Sequence, residues 1–374
     1  MHKIHFHAGD WLFYGSGGEW FHGPLDDWPA FLADRLDRWQ IDVVLLYGDC
    51  RPVHRVAQSL AQERGLDVGV FEEGYLRPHH VTLERNGVNG HSAVPRDPGH
   101  YLAQPDLRDV PVVPVGNAYW SMVWFGLCYH AVGAMGRLLN PQPVHHRPLS
   151  WLEGWAWVRS AWRKHWYAHR EKAVLQRLLT GWNRRYFVVP LQVHNDTQIR
   201  VHSPYGEVGC FLSELMHSFA LHAPANTALV IKHHPMDRGY RDYGAFIEGL
   251  AGRLGIGPRC FYIHDQHLPT LLDHARGAVV INSTAGLQAL HHGVPLKVMG
   301  TAIYDMAGLT YQGSLDQFWT AAASSRPVPR LLRQFVRHLK HTNQINGSYY
   351  RALPGTGWRS ALAWPTEHPA DPPA

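Results

Sequence analysis

Cysteine is scarce in this chain of 374 residues: there are four, Cys50, Cys128, Cys210 and Cys260, and no two stand in a CxxC. That argues against a disulfide framework and against a structural zinc site. No GxxxxGK[ST] occurs, so there is no P-loop, and no GxGxxG follows a strand-like run, which argues against a dinucleotide enzyme. No DxD occurs, so a metal-dependent sugar-nucleotide site finds no support. Ser16 in YGSGGEW precedes no convincing helix and fails the GxSxG pattern of a nucleophile elbow. The N-terminus, MHKIHFHAGD, lacks a long apolar signal core, and a cytoplasmic location is expected. Charged residues make up only 17%.

What is present describes a globular protein: 45% apolar and 12% aromatic residues, with 15 Trp. The length suits two domains of ordinary size. A formal net charge of +5 favours acidic partners such as nucleotides, phosphates or an anionic membrane surface, and 28 His can add to it below neutral pH. The basic residues accompany no nucleic-acid-binding motif, and no such partner is expected. Val110 to Gly136 contains no Asp, Glu, Lys or Arg and is long enough to span a bilayer. Pro111, Pro114, Gly116 and Asn117 break its first third, however, so a buried or interfacial helix is expected there.

Apolar runs alternate with helical spacing at both ends of the chain. DVVLLY (42–47) reads as a strand, Val53 to Arg64 as a helix closed by Gly65, and Asp67 to Phe71 as the next strand. This is a βαβ unit and implies a parallel sheet, in which ligands sit beyond the carboxyl ends of the strands. Asp49, Glu72 and Glu73 lie at such ends. From Tyr186 the alternation resumes through five strand-like runs, ending with Pro295 to Met299. The expected fold is α/β and GT-B-like, two Rossmann-type domains with a cleft and a Trp-rich insertion. The expected divisions are an acceptor domain at 1–110, a basic helical segment at 111–185, a nucleotide-sugar domain at 186–325, and a helix with a loose tail at 326–374. In the insertion, Trp151, Trp155, Trp162 and Trp166 fall within about 60° of one another on a helical wheel, flanked by Arg159, Arg163 and Arg170. Two readings stand: a helix lying on an anionic membrane, or a helix packing its Trp face onto the core with a solvated basic edge.

Three constellations can carry chemistry. In PLQVHNDTQIRVHSPY (190–205), Gln192, His194, Asn195, Asp196, Gln198, Arg200 and His202 crowd behind a strand. Asp196 can serve as nucleophile or base, with Arg200 holding a substrate anion; the plain alternative is a helix cap paired with Arg200. In VIKHHPMDRG (230–239), Lys232 ends a strand before His233, His234 and Pro235, as suits a phosphate ligand; the adjacent histidines lack the companions a metal needs. In VVINSTAGLQALHHG (279–293), Ser283 or Thr284 caps a helix whose first turn, with Gly286, can receive a phosphate.

The stretches GDWLFYGSGGEWFHGPLDDWPAF, YGDCRPVHRVA, VFEEGYLRPHHVTLERNGVNGHSAVPRDP, PLQVHNDTQIRVHSPY, KHHPMDRG and INSTAGLQALHHGVPLKVMG, in that order, resemble the capsule polysaccharide biosynthesis family of KpsS/LipB type, and the resemblance runs from about Gly9 to Gly313. The resemblance implies a GT-B-like retaining β-Kdo transferase. It would take CMP-Kdo as donor and add the first Kdo to a lysophosphatidylglycerol lipid, or a similar glycolipid or phospholipid, at the inner face of the cytoplasmic membrane, among other capsule assembly proteins. Retention is most simply two displacements. The implied roles are Asp196 as nucleophile and Glu73 as acid/base, with Glu72 beside it turned into the structure. Arg77, Arg200 and His202 would hold the Kdo carboxylate, with Gln192 and Gln198 lining the sugar. His234–Pro235 resembles a His-Pro element on the nucleotide and Ser283–Thr284 a Ser/Thr element at the phosphate. Lys232 would help neutralise the leaving CMP, so that no metal or other cofactor is needed. A transferase for another CMP- or UDP-sugar, and a non-catalytic export subunit, are the alternatives.

Overall fold

The computed structural model describes residues 1–103, 105–138 and 152–353. Two compact units divide the chain. The first takes the described residues of Met1–Ala93, Asp109–Trp155 and Leu339 onward; the second takes those of Val94–Arg108 and Ala156–His338. The strands are β1 (Ile4–His5), β2 (Glu19–Trp20), β3 (Val43–Tyr47), β4 (Asp67–Glu73), β5 (His80–Arg85), β6 (Tyr186–Pro190), β7 (Ala228–Lys232), β8 (Cys260–Ile263), β9 (Gly277–Val280), β10 (Leu296–Val298) and β11 (Gln344–Asn346). Among the helices are α1 (Ala8–Tyr14), α2 (Trp28–Arg38), α3 (Pro52–Glu63), α4 (Pro98–Leu102), α5 (Tyr119–Met135), α6 (Leu152–Arg170), α7 (Lys172–Thr180), α8 (Thr197–His202), α9 (Val208–His222), α10 (Gly244–Arg253), α11 (Leu268–Asp273), α12 (Ala285–His291) and α13 (Leu315–Ala321).

In the first unit the expected βαβ element forms. Val53, Ala57 and Ala61 put one buried stripe of α3 against Val68 and Val70 of β4 and against Trp28 and Leu32 of α2. Gly65, at φ +68°, ends α3: its N–H reaches the Gln62 carbonyl at 3.1 Å and Leu66 N–H reaches that of Ala61 at 2.9 Å, a Schellman closure. The strand after it does not stop at Phe71. It runs through Glu73, because the chain folds back as β5 and pairs Glu72 with Thr82 and Glu73 with Val81. The sheet, ordered β11-β5-β4-β3, is therefore mixed rather than parallel: only β3 and β4 run together.

The uncharged segment forms α5, which packs on α1. Tyr129 donates to Asp10 Oδ1 at 2.9 Å and meets His7 Nε2 at the same distance. Within α5 only Gly133 is buried, while Trp120 and Trp124 are exposed. No helix among the described residues is long and apolar enough to cross a membrane.

The second unit is a five-stranded sheet ordered β10-β9-β6-β7-β8, parallel throughout. Its strands are continuous apolar runs because helices cover both faces. Phe187, Val189, Leu229, Ile231, Val279 and Ile281 meet α9, α10 and α13 on one face, where Trp319 sits fully buried. The Trp319 indole N–H is not stranded there: it donates to Ser218 Oγ at 2.8 Å. The chain lays down β6, β7 and β8 outward in one direction, then returns to place β9 and β10 on the other side of β6. The order reverses between β6 and β9, and open α/β sheets bind ligands outside the strand ends at such a point.

A candidate active site at the strand ends

Asp196 stands beyond β6 at this reversal. It caps α8, its Oδ1 accepting from Gln198 N–H at 2.9 Å, while Oδ2 accepts from Gln192 Nε2 at 3.0 Å. Gln192 is buried, and the same amide donates to Asn282 Oδ1 at 2.9 Å. Asn282, beyond β9, returns two bonds to the carbonyls of Gln198 and His202, at 3.0 and 3.4 Å. Gln192 and Asn282 thus clasp the two loops across the switch point and fix the Asp196 carboxylate from behind. The cap of the plain reading is real. Its second half is not found, for no ion pair joins Asp196 to Arg200 among the described residues. Arg200 is exposed, the His202 side chain is buried, and the side-chain oxygen Oε1 of Gln198 is buried with no hydrogen-bond partner.

Ser283 and Thr284 follow Asn282. Ser283 Oγ accepts from Ala285 N–H at 3.2 Å, whereas Thr284, at the N-cap of α12, makes no side-chain cap bond. Gly286 lies buried in the first turn of α12. A Cβ there would lie 2.3 Å from the Tyr304 hydroxyl, which donates to the Ser283 carbonyl, so the glycine makes room for a tyrosine.

Behind β7 the chain turns at His234–Pro235, with His234 Nδ1 accepting from Met236 N–H at 3.2 Å. Fully buried Asp237 in that turn accepts from His194 twice: backbone N–H at 2.9 Å and Nδ1 at 2.5 Å. His194, left without a role by the sequence, is thereby tied to the His234–Pro235 turn. His233 faces inward, meets the Tyr262 hydroxyl at 2.7 Å, and is pushed down to about 3 by burial and by the neighbouring His264. Lys232 is buried and donates to the His264 carbonyl at 3.1 Å; burial lowers its ammonium to about 8, partly offset by the Asp265 charge.

Glu72, Glu73 and Asp49 belong to the first unit. Successive strand residues face opposite ways, so Glu72 and Glu73 part company. The Glu73 carboxylate accepts from the Tyr350 hydroxyl at 3.0 Å and from that of Tyr47 at 3.4 Å. Burial and the Glu73 charge together hold both phenols well above their usual range. No ion pair joins Glu73 to Arg77 among the described residues; exposed Arg77 donates Nε to the Gly74 carbonyl at 3.2 Å. Asp49 is no open acid. It is buried, and accepts from Val88 N–H and His91 Nδ1 at 3.0 Å each and from the Cys50 thiol. Burial would raise its carboxyl, but these donors together hold it below the usual range.

The Trp stripe resolves against core packing. Trp155, Trp162 and Trp166 are 74%, 61% and 48% exposed, and Trp151 lies outside the described residues. Two of the arginines bond back to the protein: Arg159, itself exposed, donates to the Gly239 carbonyl and half-buried Arg163 to that of Arg238. Arg170 lies over the Trp166 ring at 6.0 Å.

Fold and site together define an α/β protein whose strand-end loops gather a carboxylate, hydroxyls, a His-Pro turn and a buried lysine. The chain is 43% identical over 325 residues to the Capsule polysaccharide export protein KpsS of Escherichia coli, covering 87% of this chain and 83% of that one. It is 36% identical over 361 residues to the Capsule polysaccharide modification protein LipB of Neisseria meningitidis serogroup B, covering 94% and 85%. Among solved structures it is similar to Thermosulfurimonas dismutans KpsC, beta Kdo 2,7 transferase, at 18% identity and a TM-score of 0.42 over 90% of this chain and 88% of that one. Residues 42–350 match the family described as Capsule polysaccharide biosynthesis protein, and the chain belongs to that family.

Proposed function

We propose that this protein is a glycosyltransferase that moves Kdo from CMP-Kdo, with retention, to a (lyso)phosphatidylglycerol acceptor and so starts the poly-Kdo linker of a capsular polysaccharide. Membership of the capsule family supports the pathway, and the placement of Asp196 supports the chemistry. Its carboxylate stands at the switch point, held by the Gln192–Asn282 clasp, and no cation neutralises it among the described residues. In the first displacement an Asp196 oxygen attacks the anomeric carbon, and the bond to the CMP phosphate breaks with its electron pair leaving on CMP. In the second, the acceptor hydroxyl attacks the same carbon, Glu73 takes its proton, and Asp196 is released. Lys232, His234 with Pro235, and the Ser283 and Thr284 hydroxyls bind the nucleotide and its phosphate. Gln192, Gln198, Arg77, Arg200 and His202 hold the sugar and its carboxylate. The developing charge on CMP falls to these groups, and the reading requires no metal. The outward Trp155, Trp162 and Trp166 hold the enzyme peripherally on an anionic membrane where the acceptor lies, on its cytoplasmic side. No nucleic-acid partner enters this reading.

Intact mass spectrometry of the protein with CMP-Kdo generated in place tests the proposal. A gain of one Kdo on the wild type, absent in Asp196→Asn, is the expected result. Product from another sugar nucleotide, with neither adduct nor product from CMP-Kdo, would overturn the donor. One observation favours a second reading, in which Asp196 is only a cap: both its oxygens are hydrogen-bonded. Asp196→Ser separates the two, since serine caps a helix but cannot carry the glycosyl ester.

A further inference from the structure

Glu171 stands at the junction of α6 and α7, 6% exposed. A buried carboxylate is costly unless its oxygens are bonded. This one accepts from His264 twice, from the backbone N–H at 2.9 Å and from Nδ1 at 2.7 Å, and from Gln266 Nε2 at 3.5 Å. One turn back along α6, the Tyr167 ring lies flat on the His264 imidazole, with centroids 3.6 Å apart and planes 3° off parallel. His264 is thus fixed on its ring face, its ring nitrogen and its main chain, and its carbonyl receives the Lys232 ammonium.

We infer that Glu171 is a positioning residue for Lys232, acting through His264. The inference rests on the reading of Lys232 as a phosphate-binding group of the donor site. Lys232 projects from the end of β7 into a buried place, and a four-carbon stem there has several rotamers to choose from. The His264 carbonyl selects one, and Glu171 determines where that carbonyl lies. The groups facing the ammonium are Glu171 from the α6–α7 junction, His264 and Asp265 from the loop after β8, and Arg238 from the turn after β7. Arg238 is paired with Asp265, so of the two acids Glu171 is the one not spoken for by an arginine. Against burial, the Asp265 charge and, after it, that of Glu171 favour the protonated lysine, while Arg238 opposes it.

The test is the donor KM for Kdo transfer between pH 6.5 and 9.5, in wild type, Glu171→Gln, Lys232→Arg and the double variant. In wild type the KM rises on the alkaline side as Lys232 loses its proton. In Glu171→Gln that rise begins at lower pH, so the ratio of the two KM values is smallest at pH 6.5 and grows severalfold above neutrality. An arginine does not titrate in this range, so in the Lys232→Arg background Glu171→Gln produces no pH-dependent change. A rise at the wild-type pH in Glu171→Gln, or an equal shift in the arginine background, overturns the inference. Should Glu171→Gln fail to fold, His264→Asn against His264→Ala carries the same test, because asparagine offers a donor to Glu171 and alanine none. If Lys232→Met has the wild-type KM at every pH, the donor-site reading of Lys232 fails instead. NMR titration of the Lys232 side chain in Glu171→Gln then still judges the link: an unchanged midpoint overturns it.

Discussion

The two sheets of this protein treat their acids in opposite ways. In the second unit every strand is parallel, and the polar residues fall past the strand ends into loops that bond to one another: Asp196 to Gln192, Gln192 to Asn282, Asn282 back to the backbone of Gln198 and His202. In the first unit the sheet is mixed, Glu73 is still in the strand, and its carboxylate is held by two tyrosine hydroxyls, one from β3 and one from a segment 277 residues on. A loop network fixes position, which suits an atom that must attack along one line. The two phenols both donate to a single oxygen of Glu73, Oε1.

This contrast sets the order of effects. Asp196→Asn and Asp196→Ser should each lower kcat by at least about 10³-fold, as losing a nucleophile does. Both residues cap helices, so the melting temperature should hardly move; calorimetry beside the assay reads both. Glu73→Gln should lower kcat by roughly 10²–10⁴-fold and remove one limb of the pH–rate profile. Equal losses of rate and stability in either acid would erase the distinction. Within the second core, Trp319→Ala should cost about 3–5 kcal/mol in denaturant unfolding, because it opens a cavity and removes the indole's hydrogen bond to Ser218, whose own hydroxyl still donates to Asp316. In the first unit, burial raises the Glu84 carboxyl from the usual 4.5 to about 7, against hydrogen bonds from Ser92 and Tyr75. A raised carboxyl favours the fold while protonated, so this contribution is present below pH 4.5 and is lost as pH rises through 7. It is of order 3 kcal/mol, and Glu84→Gln should flatten the fall of stability between pH 5 and 8. Smallest, replacing Trp155, Trp162 or Trp166 with alanine should weaken flotation with anionic liposomes roughly tenfold each; unchanged flotation would take the stripe out of the function.

Much of the second unit was legible because local chemistry decides it. Short apolar runs such as GAVV between turn signals leave little besides a buried strand, and α9 starts and stops where its apolar period does. The end of β4 was not legible. Glu72 and Glu73 look like a loop by composition, and only the return of β5 makes them strand. The partners that matter most are the least visible: nothing near Glu73 announces Tyr350, and nothing in HREK or IHDQ joins Glu171 to His264. The Trp stripe shows the limit of the helical wheel, which groups residues by face but does not say which face looks inward.

That helix carries a constraint of register. Along α6 the inward contacts come from Arg159, Arg163 and Tyr167, with Glu171 continuing the series just past its end, each four residues from the last; Trp155, Trp162 and Trp166 run beside them on the neighbouring face. Each residue turns the helix by 100°. One residue inserted near Ala161 would swing every later side chain by that angle, taking Tyr167 off His264 and turning an indole towards the protein. Substitutions can tune either face alone, but a single-codon insertion or deletion in this stretch strikes both at once.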